Sequence, residues 1–419
     1  MPTSNAGNQM RQPIDPSTSI GVVNRSRRPP GLLGVSFALV MIDGYDLFIV
    51  SFVGPLIAKD LHLSFVHLGT VFAAGLAGSM VGGLFLGHMA DRAGRRPTLL
   101  VSLATAGVAT LLCSQVHSFG AFAALRFLTG VALGGLLASI VPLVAEYFPG
   151  QQRSAAVTVM FIGYPLGAVI GGAITALLIA DGWRVLFIGA GVVTLLLVPF
   201  GLLLSDARSA SDAQNDATHR RRWRGPFVAL FTEGRFWITV IASFGIFCLL
   251  LVTYLLNSWT PLMAARAGFS PATAAWCGVL LNLGGVIGAL ASTVLVARYG
   301  VFKVVTVMVG TGSFALALLG FLYGSVGSLY SGLCVIGLLV IGGQQNSPAI
   351  SVQLYPQRMR STGVGWQFAA GRLGSILGPI LGGRLLSAHV SVQWLFVLIA
   401  IPTLLSAGAY TVVGMLVRK

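Results

Sequence analysis

Two carboxylates interrupt the first long apolar stretch of the chain. Asp43 and Asp46 are three residues apart, a spacing that places both on one face of a helix. Two carboxylates this close in a medium of low dielectric constant repel each other, so we expect at least one of them to take up a proton near neutral pH. The pair is a candidate proton carrier. The alternative is a hydrogen-bonded pair that only orders the helix.

Three arginines also lie inside apolar stretches. Arg126 falls in the fourth stretch, and Arg372 and Arg384 fall in the eleventh. A guanidinium stays charged and binds a carboxylate in a bidentate fork, so each is a candidate for holding an anion, with the centrally placed Arg372 the first choice. Two alternatives stay open. For Arg372 the alternative is a salt bridge with Asp43 or Asp46. For Arg126 and Arg384 the alternative is that the side chain extends to a water interface.

The composition determines the elements that must position these residues. The chain has 419 residues, of which 55% are hydrophobic and 9% are charged, whereas soluble domains carry about 25% charged residues. A soluble enzyme and a disordered chain are thereby excluded. A membrane-spanning helix needs about 20 mostly apolar residues, and twelve such stretches predict an all-α membrane protein. They cover residues 31–58, 66–88, 97–116, 120–147, 154–180, 184–204, 235–264, 272–297, 303–323, 328–355, 361–387 and 391–416.

The net charge of +15 has a topological explanation. If both termini are cytoplasmic, 20 of the 26 Lys and Arg residues fall on the cytoplasmic face, as the positive-inside rule predicts. The longest polar break, residues 205–234, ends in a basic run that we interpret as a lipid-facing linker. We therefore expect no nucleic-acid partner.

The two halves of the chain repeat. Arg92 and Gly94 match Arg298 and Gly300 at an offset of 206. This predicts two six-helix bundles related by a pseudo-two-fold axis along the membrane normal, with a ligand site between them near the midplane. The expected division is a cytoplasmic tail at 1–30, a bundle at 31–204, a cytoplasmic linker at 205–234, a second bundle at 235–416 and a cytoplasmic C-terminus at 417–419.

The segment GHMADRAGRRPTL at residues 87–99 follows the second stretch. It resembles the helix 2–3 loop of the major facilitator superfamily, whose signature is G-x-x-x-D-R-x-G-R-[RK]. The resemblance implies a gate that favours one conformation; the alternative is a topology determinant alone. We expect Glu146 to form a gate ion pair rather than to carry a proton. The gate candidates are Gly87, Asp91, Arg92, Gly94, Arg95, Arg96, Glu146 and Arg153.

Three further segments narrow the resemblance. DGYD at 43–46, RFLTGVALGG at 126–135 and GRLGSILGP at 371–379 are similar to the aromatic acid:proton symporter family, with a match over about residues 30–416. The family implies proton-coupled import of a benzoate-type carboxylate through the bacterial cytoplasmic (inner) membrane. It also assigns the acids of DGYD to the transport site. The sequence has no G-x-x-x-x-G-K-[ST] loop, so we expect no nucleotide cofactor to drive the carrier.

An aromatic acid needs a surface for its ring and polar groups around it. Any single aromatic residue here is more often core packing or an interface anchor. The ring candidates are Tyr45, Tyr164, Tyr254, Trp259, Trp366 and Phe368, and the uncharged polar candidates are Asn257, Asn282, Gln344, Gln345 and Asn346. The segment GQQNSP at 343–348 predicts a bent helix.

Two other functions stay open from the sequence. The same gate loop occurs in proton-driven exporters of drugs or metabolites, and a membrane sensor with a carrier fold is a third reading that the short linker disfavours. His and Cys residues lack metal-ligand spacing. We expect a monomeric, cofactor-free carrier, not an enzyme, whose partners are an aromatic carboxylate, protons and membrane lipid.

Overall fold

A computed structural model describes residues 31–148, 151–204, 230–232, 235–356 and 359–417. Within these ranges every regular element is a helix. The tail at 1–30, most of the linker and the last two residues lie outside the described residues. The first six long helices are α1 Leu32–Asp60, α2 Phe65–Ala93, α3 Arg95–Cys113, α4 Phe119–Tyr147, α5 Gln151–Leu178 and α6 Trp183–Leu196. The next six are α7 Phe236–Arg266, α8 Pro271–Tyr299, α9 Val301–Leu322, α10 Val326–Leu354, α11 Arg360–Ser387 and α12 Val392–Val417.

Local chemistry explains where the helices begin. Ser64, Ser118, Ser270 and Ser325 cap the even-numbered helices α2, α4, α8 and α10, and each side chain accepts a hydrogen bond from a backbone N–H three residues later. Such a cap satisfies one of the free N–H groups of the first turn. The four serines therefore fix where these helices begin.

Eleven helices in the described part of the chain are long and apolar enough to cross a membrane. Helix α11, with 28 residues, is not among them because Arg372, Arg384 and Gln367 lower its hydropathy. It packs against α7 and α2, which hold it within the bundle despite its polarity. The predicted all-α, twelve-helix architecture is confirmed.

The two halves have the same packing pattern. Helix pairs α1–α5, α2–α4 and α3–α6 pack together in the first half, and α7–α11, α8–α10 and α9–α12 in the second. A Cβ atom on Gly167 would lie 1.8 Å from the Met41 carbonyl oxygen, and one on the equivalent Gly374 would lie 2.2 Å from that of Phe247. Only glycine permits backbones to approach this closely, so the internal repeat extends to helix crossings.

The halves touch each other through α1–α7, α2–α11 and α5–α8. We call the residues Ser51, Phe65, Gly69, Trp259 and Gly383 the closed interface, because they join the halves where α1 ends and α2 begins. The Ser51 hydroxyl donates to the carbonyl oxygens of Asn257 and Ser258. A Cβ on Gly69 would lie 2.7 Å from the Pro379 carbonyl oxygen, and one on Gly383 would lie 2.5 Å from that of Phe65. This end of the molecule is tightly packed.

Helix α10 departs from regular α-helix near its middle. A π-helical stretch, Gly337–Ile341, precedes two turn residues, Gln345 and Asn346. The helix restarts at Ser347, with Pro348 in its first turn. The sequence predicts a bend at residues 343–348, and the departure from regular α-helix begins earlier, at Gly337. Such π-helical turns are frequent at functional sites.

Candidate functional site

Asp46 is the centre of a buried polar contact among α1, α3 and α4. Its Oδ2 atom lies 3.0 Å from Nη1 of Arg126, whose Nη2 donates to the Asp46 carbonyl oxygen at 2.8 Å. Thr110 donates to Oδ1 at 2.7 Å. Both charged side chains are only 3% exposed. Asp46 and Arg126 therefore neutralise each other, and Arg126 points into the bundle rather than to the interface.

Asp43, one turn earlier on α1, has different surroundings. The residue is 4% exposed, and its Oδ2 atom has no hydrogen-bond partner among the described residues. It lies within electrostatic range of Asp46 and of Arg372 on α11. A buried carboxylate without donors is costly in its charged form. Asp43 and Asp46, which the sequence places on one helical face, therefore differ in their partners: Asp46 has an arginine and a threonine, whereas Oδ2 of Asp43 has none in the described part of the chain.

Arg372 lies within electrostatic range of this acid and has no acidic contact among the described residues. It is half-buried, and none of the salt bridges within the described ranges includes it. The direct salt bridge to Asp43 or Asp46 that the sequence left open is therefore not formed. The guanidinium keeps its capacity to bind a carboxylate in a fork.

Two tyrosines complete the neighbourhood. Tyr164 on α5 lies within electrostatic range of Tyr254 on α7, of Asp43 and of Arg372. Its ring also packs edge-on against Phe48 at 5.9 Å. We call Asp43, Tyr164, Tyr254 and Arg372 the Asp43 cluster. It draws on α1, α5, α7 and α11 and so on both halves, and it combines a cation, an acid and aromatic surface.

A small void lies between this cluster and the closed interface. It has a volume of about 10 Å³ and is lined by residues of both halves, among them Ser51, Arg126 and Tyr254. This is room for about one water molecule and too little for an aromatic ring. An aromatic ligand at the cluster therefore requires the surrounding helices to separate further.

Other predicted aromatic residues have structural partners of their own. Trp259 is fully buried and donates from Nε1 to the Pro379 carbonyl oxygen at 2.9 Å. Trp366 donates to Ser243 at 2.9 Å, and the Tyr45 hydroxyl lies 3.2 Å from that of Thr175. No described contact joins these three residues to the Asp43 cluster, and Phe368 is 47% exposed.

The predicted polar residues form two separate groups. Asn282 donates to Asn257 at 2.8 Å, which joins α8 to α7, and Asn346 donates to Ser292 at 3.0 Å, which joins α10 to α8. Gln344 is half-buried, whereas Gln345 and Arg384 are exposed. Only the first group lies beside a residue of the closed interface, because the Asn257 carbonyl oxygen accepts the hydroxyl of Ser51.

The gate candidates gather at the end of the molecule opposite the closed interface. Arg95 forms an ion pair with Glu146, which joins α3 to α4. Arg96 donates to the Leu202 carbonyl oxygen at 2.7 Å, and Arg153 donates to that of Ala145 at 2.8 Å. All of these contacts lie within the first half of the chain.

The loop between α2 and α3 is shaped by glycine. Gly94 has φ of +106°, a conformation that L side chains rarely adopt, and it lets α3 begin directly after α2. A Cβ on Gly87 would lie 3.2 Å from that of Ala138 on α4. Asp91 and Arg92 are exposed in the last turn of α2. Arg95 and Arg96 add side-chain contacts to this backbone turn.

Sequence reasoning missed two residues that organise the site. Thr110 holds Asp46, and Ser51 joins the halves. Each is a small hydroxyl inside an apolar stretch, and such residues most often bond within their own helix, as Ser36 and Thr129 do. Their partners lie 64 and 206 residues away in the chain, so no local pattern distinguishes them.

Comparison with known proteins agrees with this architecture. Residues 36–365 match the Major Facilitator Superfamily. A bacterial homologue of the human lysosomal transporter Spinster, solved in an inward-facing and unoccupied conformation, superimposes with a TM-score of 0.72 at 15% identity, over 93% of this chain and 98% of that one. A D-xylose–proton symporter gives 0.71 at 16% identity, over 91% and 96%. These likenesses show the fold.

Curated relatives are similar over most of their length. A gallate transporter of Pseudomonas putida is 30% identical over 90% of both chains. A 4-hydroxybenzoate transporter of Acinetobacter baylyi is 31% identical over 90% of this chain and 89% of its own. A 3-(3-hydroxy-phenyl)propionate transporter of Escherichia coli is 31% identical over 85% and 86%. With its twelve-helix fold, its membrane-spanning segments and these matches, the chain belongs to the Major Facilitator Superfamily and is a membrane transporter, not an enzyme.

Proposed function

We propose that this transporter imports an aromatic carboxylate together with a proton by alternating access. The two bundles, residues 31–204 and 235–416, rock about the site between them. The observation that carries the proposal is the Asp43 cluster, which places a base without an acidic contact beside an aromatic pair. The relatives' names, which include gallate, gentisate, benzoate and 4-hydroxybenzoate, support this class of substrate.

In this proposal Arg372 holds the carboxylate. It is half-buried and forms no salt bridge among the residues the structure describes, so an incoming anion supplies its missing partner. The tyrosine pair of α5 and α7 offers an aromatic surface for the ring, because ring pairs favour edge-to-face or offset contacts. Arg126 then acts by holding Asp46 rather than by contacting substrate.

Asp43 is the residue that we assign to the proton. Asp46 already has a guanidinium and a hydroxyl as partners, so its charge is compensated whether or not substrate is present. Asp43 has a buried oxygen without a donor and shares Arg372 with the incoming anion. Once the carboxylate occupies that guanidinium, a charged Asp43 must share the positive charge of Arg372 with the substrate. Substrate and proton are thereby favoured together.

The orientation follows from the charge distribution. Under the positive-inside rule, the loop with Arg92, Arg95 and Arg96 faces the cytoplasm of a bacterial inner membrane, and both termini are cytoplasmic. The closed interface then faces the outside. In the outward-open state we expect the gate loop to join the halves at the cytoplasmic side, with the Arg95–Glu146 pair fixing one of its walls.

Uptake into liposomes tests the proposal. Purified protein is reconstituted, and entry of labelled benzoate and 4-hydroxybenzoate is followed with the outside acidic, with and without a protonophore. Accumulation that the protonophore abolishes is the expected result. Accumulation that the protonophore leaves unchanged would remove proton coupling but keep transport. Accumulation only under the opposite gradient would favour an exporter.

Arg372→Gln is the matching substitution. Removing one partner of a buried charge pair costs about 2–5 kcal/mol, so we expect the apparent affinity for benzoate to fall by about a hundredfold. Arg372→Lys keeps the positive charge but cannot form the bidentate contact. Its apparent affinity for benzoate should lie between those of the wild type and Arg372→Gln. Arg298→Gln is the control, because Arg298 is exposed at the end of α8 and stacks over Tyr299. Equal affinity in all four proteins would exclude Arg372 from the site.

A further inference from the structure

The second half of the chain has an uncompensated positive charge. From residue 235 to the C-terminus the sequence contains ten Lys or Arg residues and no Asp or Glu. No Asp or Glu side chain within this half can therefore pair with its bases. Other groups balance them, among them water, the first half and anions that are not part of this protein.

The internal repeat locates where an acid is missing. Glu146 of the first half pairs with Arg95, and at an offset of 207 its counterpart is Gln353. The base that follows, Arg153, recurs as Arg360. The second half thus keeps a base of this end and replaces the carboxylate with a neutral amide. Where the first half has the carboxylate of Glu146, the second half has the neutral amide of Gln353 and keeps Arg360 seven residues later.

A cleft occupies this position. It lies where α7 and α11 begin and α10 and α12 end, has a volume of about 510 Å³, and is lined by Arg235, Gln353, Arg360, Leu416 and Val417, among others. No ion pair within the described ranges includes either arginine. Two guanidinium groups at one cleft are suited to a phosphate, which accepts bidentate hydrogen bonds.

Arg235 is held in place within this cleft. Its Nη1 donates to the Leu354 carbonyl oxygen at 3.2 Å, while its Nε is buried and has no hydrogen-bond partner among the described residues. The wall behind it is joined by hydrogen bonds, because Tyr355 donates to Thr239 at 3.3 Å and accepts from Gln367 at 3.1 Å. The base is thus positioned and one of its donors is unused.

The surroundings of the cleft indicate what brings the phosphate. Phe236 and Trp237, next to Arg235, are 46% and 67% exposed, and Leu416 and Val417 are 36% and 40% exposed. Aromatic residues at helix ends mark the headgroup level of a bilayer. The floor of the cleft is therefore positively charged, and its rim is apolar. The cleft opens at the level where the phosphate of a phospholipid lies next to the acyl chains.

We propose that the cleft of Arg235 and Arg360 binds the headgroup of an anionic phospholipid. The phosphate lies between the two guanidinium groups, and the acyl chains follow the exposed ends of α7 and α12. Basic pockets between transmembrane helices are a known setting for anionic headgroups. The site is at the end of the second bundle and does not depend on the transport substrate.

Lipid binding to the purified full-length protein tests this. The protein in mixed micelles is titrated with fluorescent phosphatidylglycerol and, separately, with phosphatidylcholine that carries the same acyl chains. We expect preferential binding of phosphatidylglycerol that weakens with salt. The double variant Arg235→Gln, Arg360→Gln should lower that affinity by about tenfold or more. Equal affinity for both lipids, or no loss in the double variant, would overturn the proposal.

Gln353→Glu is the sharper variant because it leaves both arginines in place. It restores in the second half the acid that the first half carries at the equivalent position, so the fold has precedent for it. We expect it to weaken phosphatidylglycerol binding while thermal unfolding stays at or above the wild-type temperature. Arg298→Gln, at the same end but outside the cleft, should bind normally. Unchanged binding in Gln353→Glu, or full displacement of the lipid by inorganic phosphate, would contradict a lipid site.

Discussion

At the scale of residues, the two aspartates of α1 have different roles, although their spacing suggests a common one. Asp46 has Arg126 and Thr110 as partners and is part of the architecture. Asp43 has a buried oxygen without a donor. A buried ion pair loses much when one partner is removed, because the other charge is left unpaired. The same Asp-to-Asn change should therefore have opposite consequences at the two positions.

Asp46→Asn should destabilise the protein by about 3–5 kcal/mol, the cost of leaving a buried Arg126 without its partner. Thermal unfolding in detergent measures this loss. Adding Arg126→Gln to the same chain removes the orphaned charge and should restore much of the stability. If the double variant is no more stable than Asp46→Asn alone, the pair is not the structural anchor inferred here.

Asp43→Asn should instead leave thermal unfolding at or slightly above the wild-type temperature, since it removes a buried acid with an unpaired oxygen. Exchange of labelled for unlabelled substrate across the membrane should persist, because Arg372 is intact. Accumulation driven by a proton gradient should disappear. A variant that still accumulates substrate would remove Asp43 from proton coupling, whatever its stability.

At the scale of elements, glycines set how closely the site helices approach. Gly44 and Gly167 bring α1 and α5 together, and a Cβ on either would lie about 2 Å from a carbonyl oxygen of the other helix, 2.0 Å and 1.8 Å respectively. This contact determines where Asp43 and Tyr164 stand relative to each other. A residue with a side chain here must push the two helices apart.

Gly167→Ala should therefore destabilise the protein by about 1–3 kcal/mol, the usual cost of overpacking, although alanine favours helix more than glycine does. Gly189→Ala on α6 is the matched control, because a Cβ there meets nothing within 4 Å. It should be neutral or stabilising. Thermal unfolding of the two variants gives the comparison, and equal effects would mean that the close crossing is not rigid.

At the scale of the whole molecule, the closed interface holds one end of the two bundles together. Ser51 bonds across it, and Phe72 packs edge-on against Trp259 at 5.4 Å. Alternating access requires these contacts to break when the other end closes. A bulky side chain at the interface should act on the equilibrium between conformations rather than on the binding site.

Gly69→Trp should hold this end open, since even a Cβ at that position would lie 2.7 Å from the Pro379 carbonyl oxygen. Substrate binding should survive while net uptake is lost. The measurement is labelling of Ser258→Cys by a membrane-impermeant maleimide, which should rise in the Gly69→Trp background. Labelling that stays low, together with normal uptake, would show that the interface tolerates the indole without opening.

The sequence alone determined the twelve spans, the repeat and the candidate charged residues, because hydropathy and offsets are local or periodic signals. Charged residues in apolar stretches stand out for the same reason, so Asp43, Asp46, Arg126 and Arg372 were identifiable. The tertiary structure decided which of them pair. Arg126 and Asp46 are 80 residues apart in the chain, and only the packing of α1 on α4 brings them to 3.0 Å. Side-chain partners across helices depend on crossing geometry, which no spacing along one helix encodes.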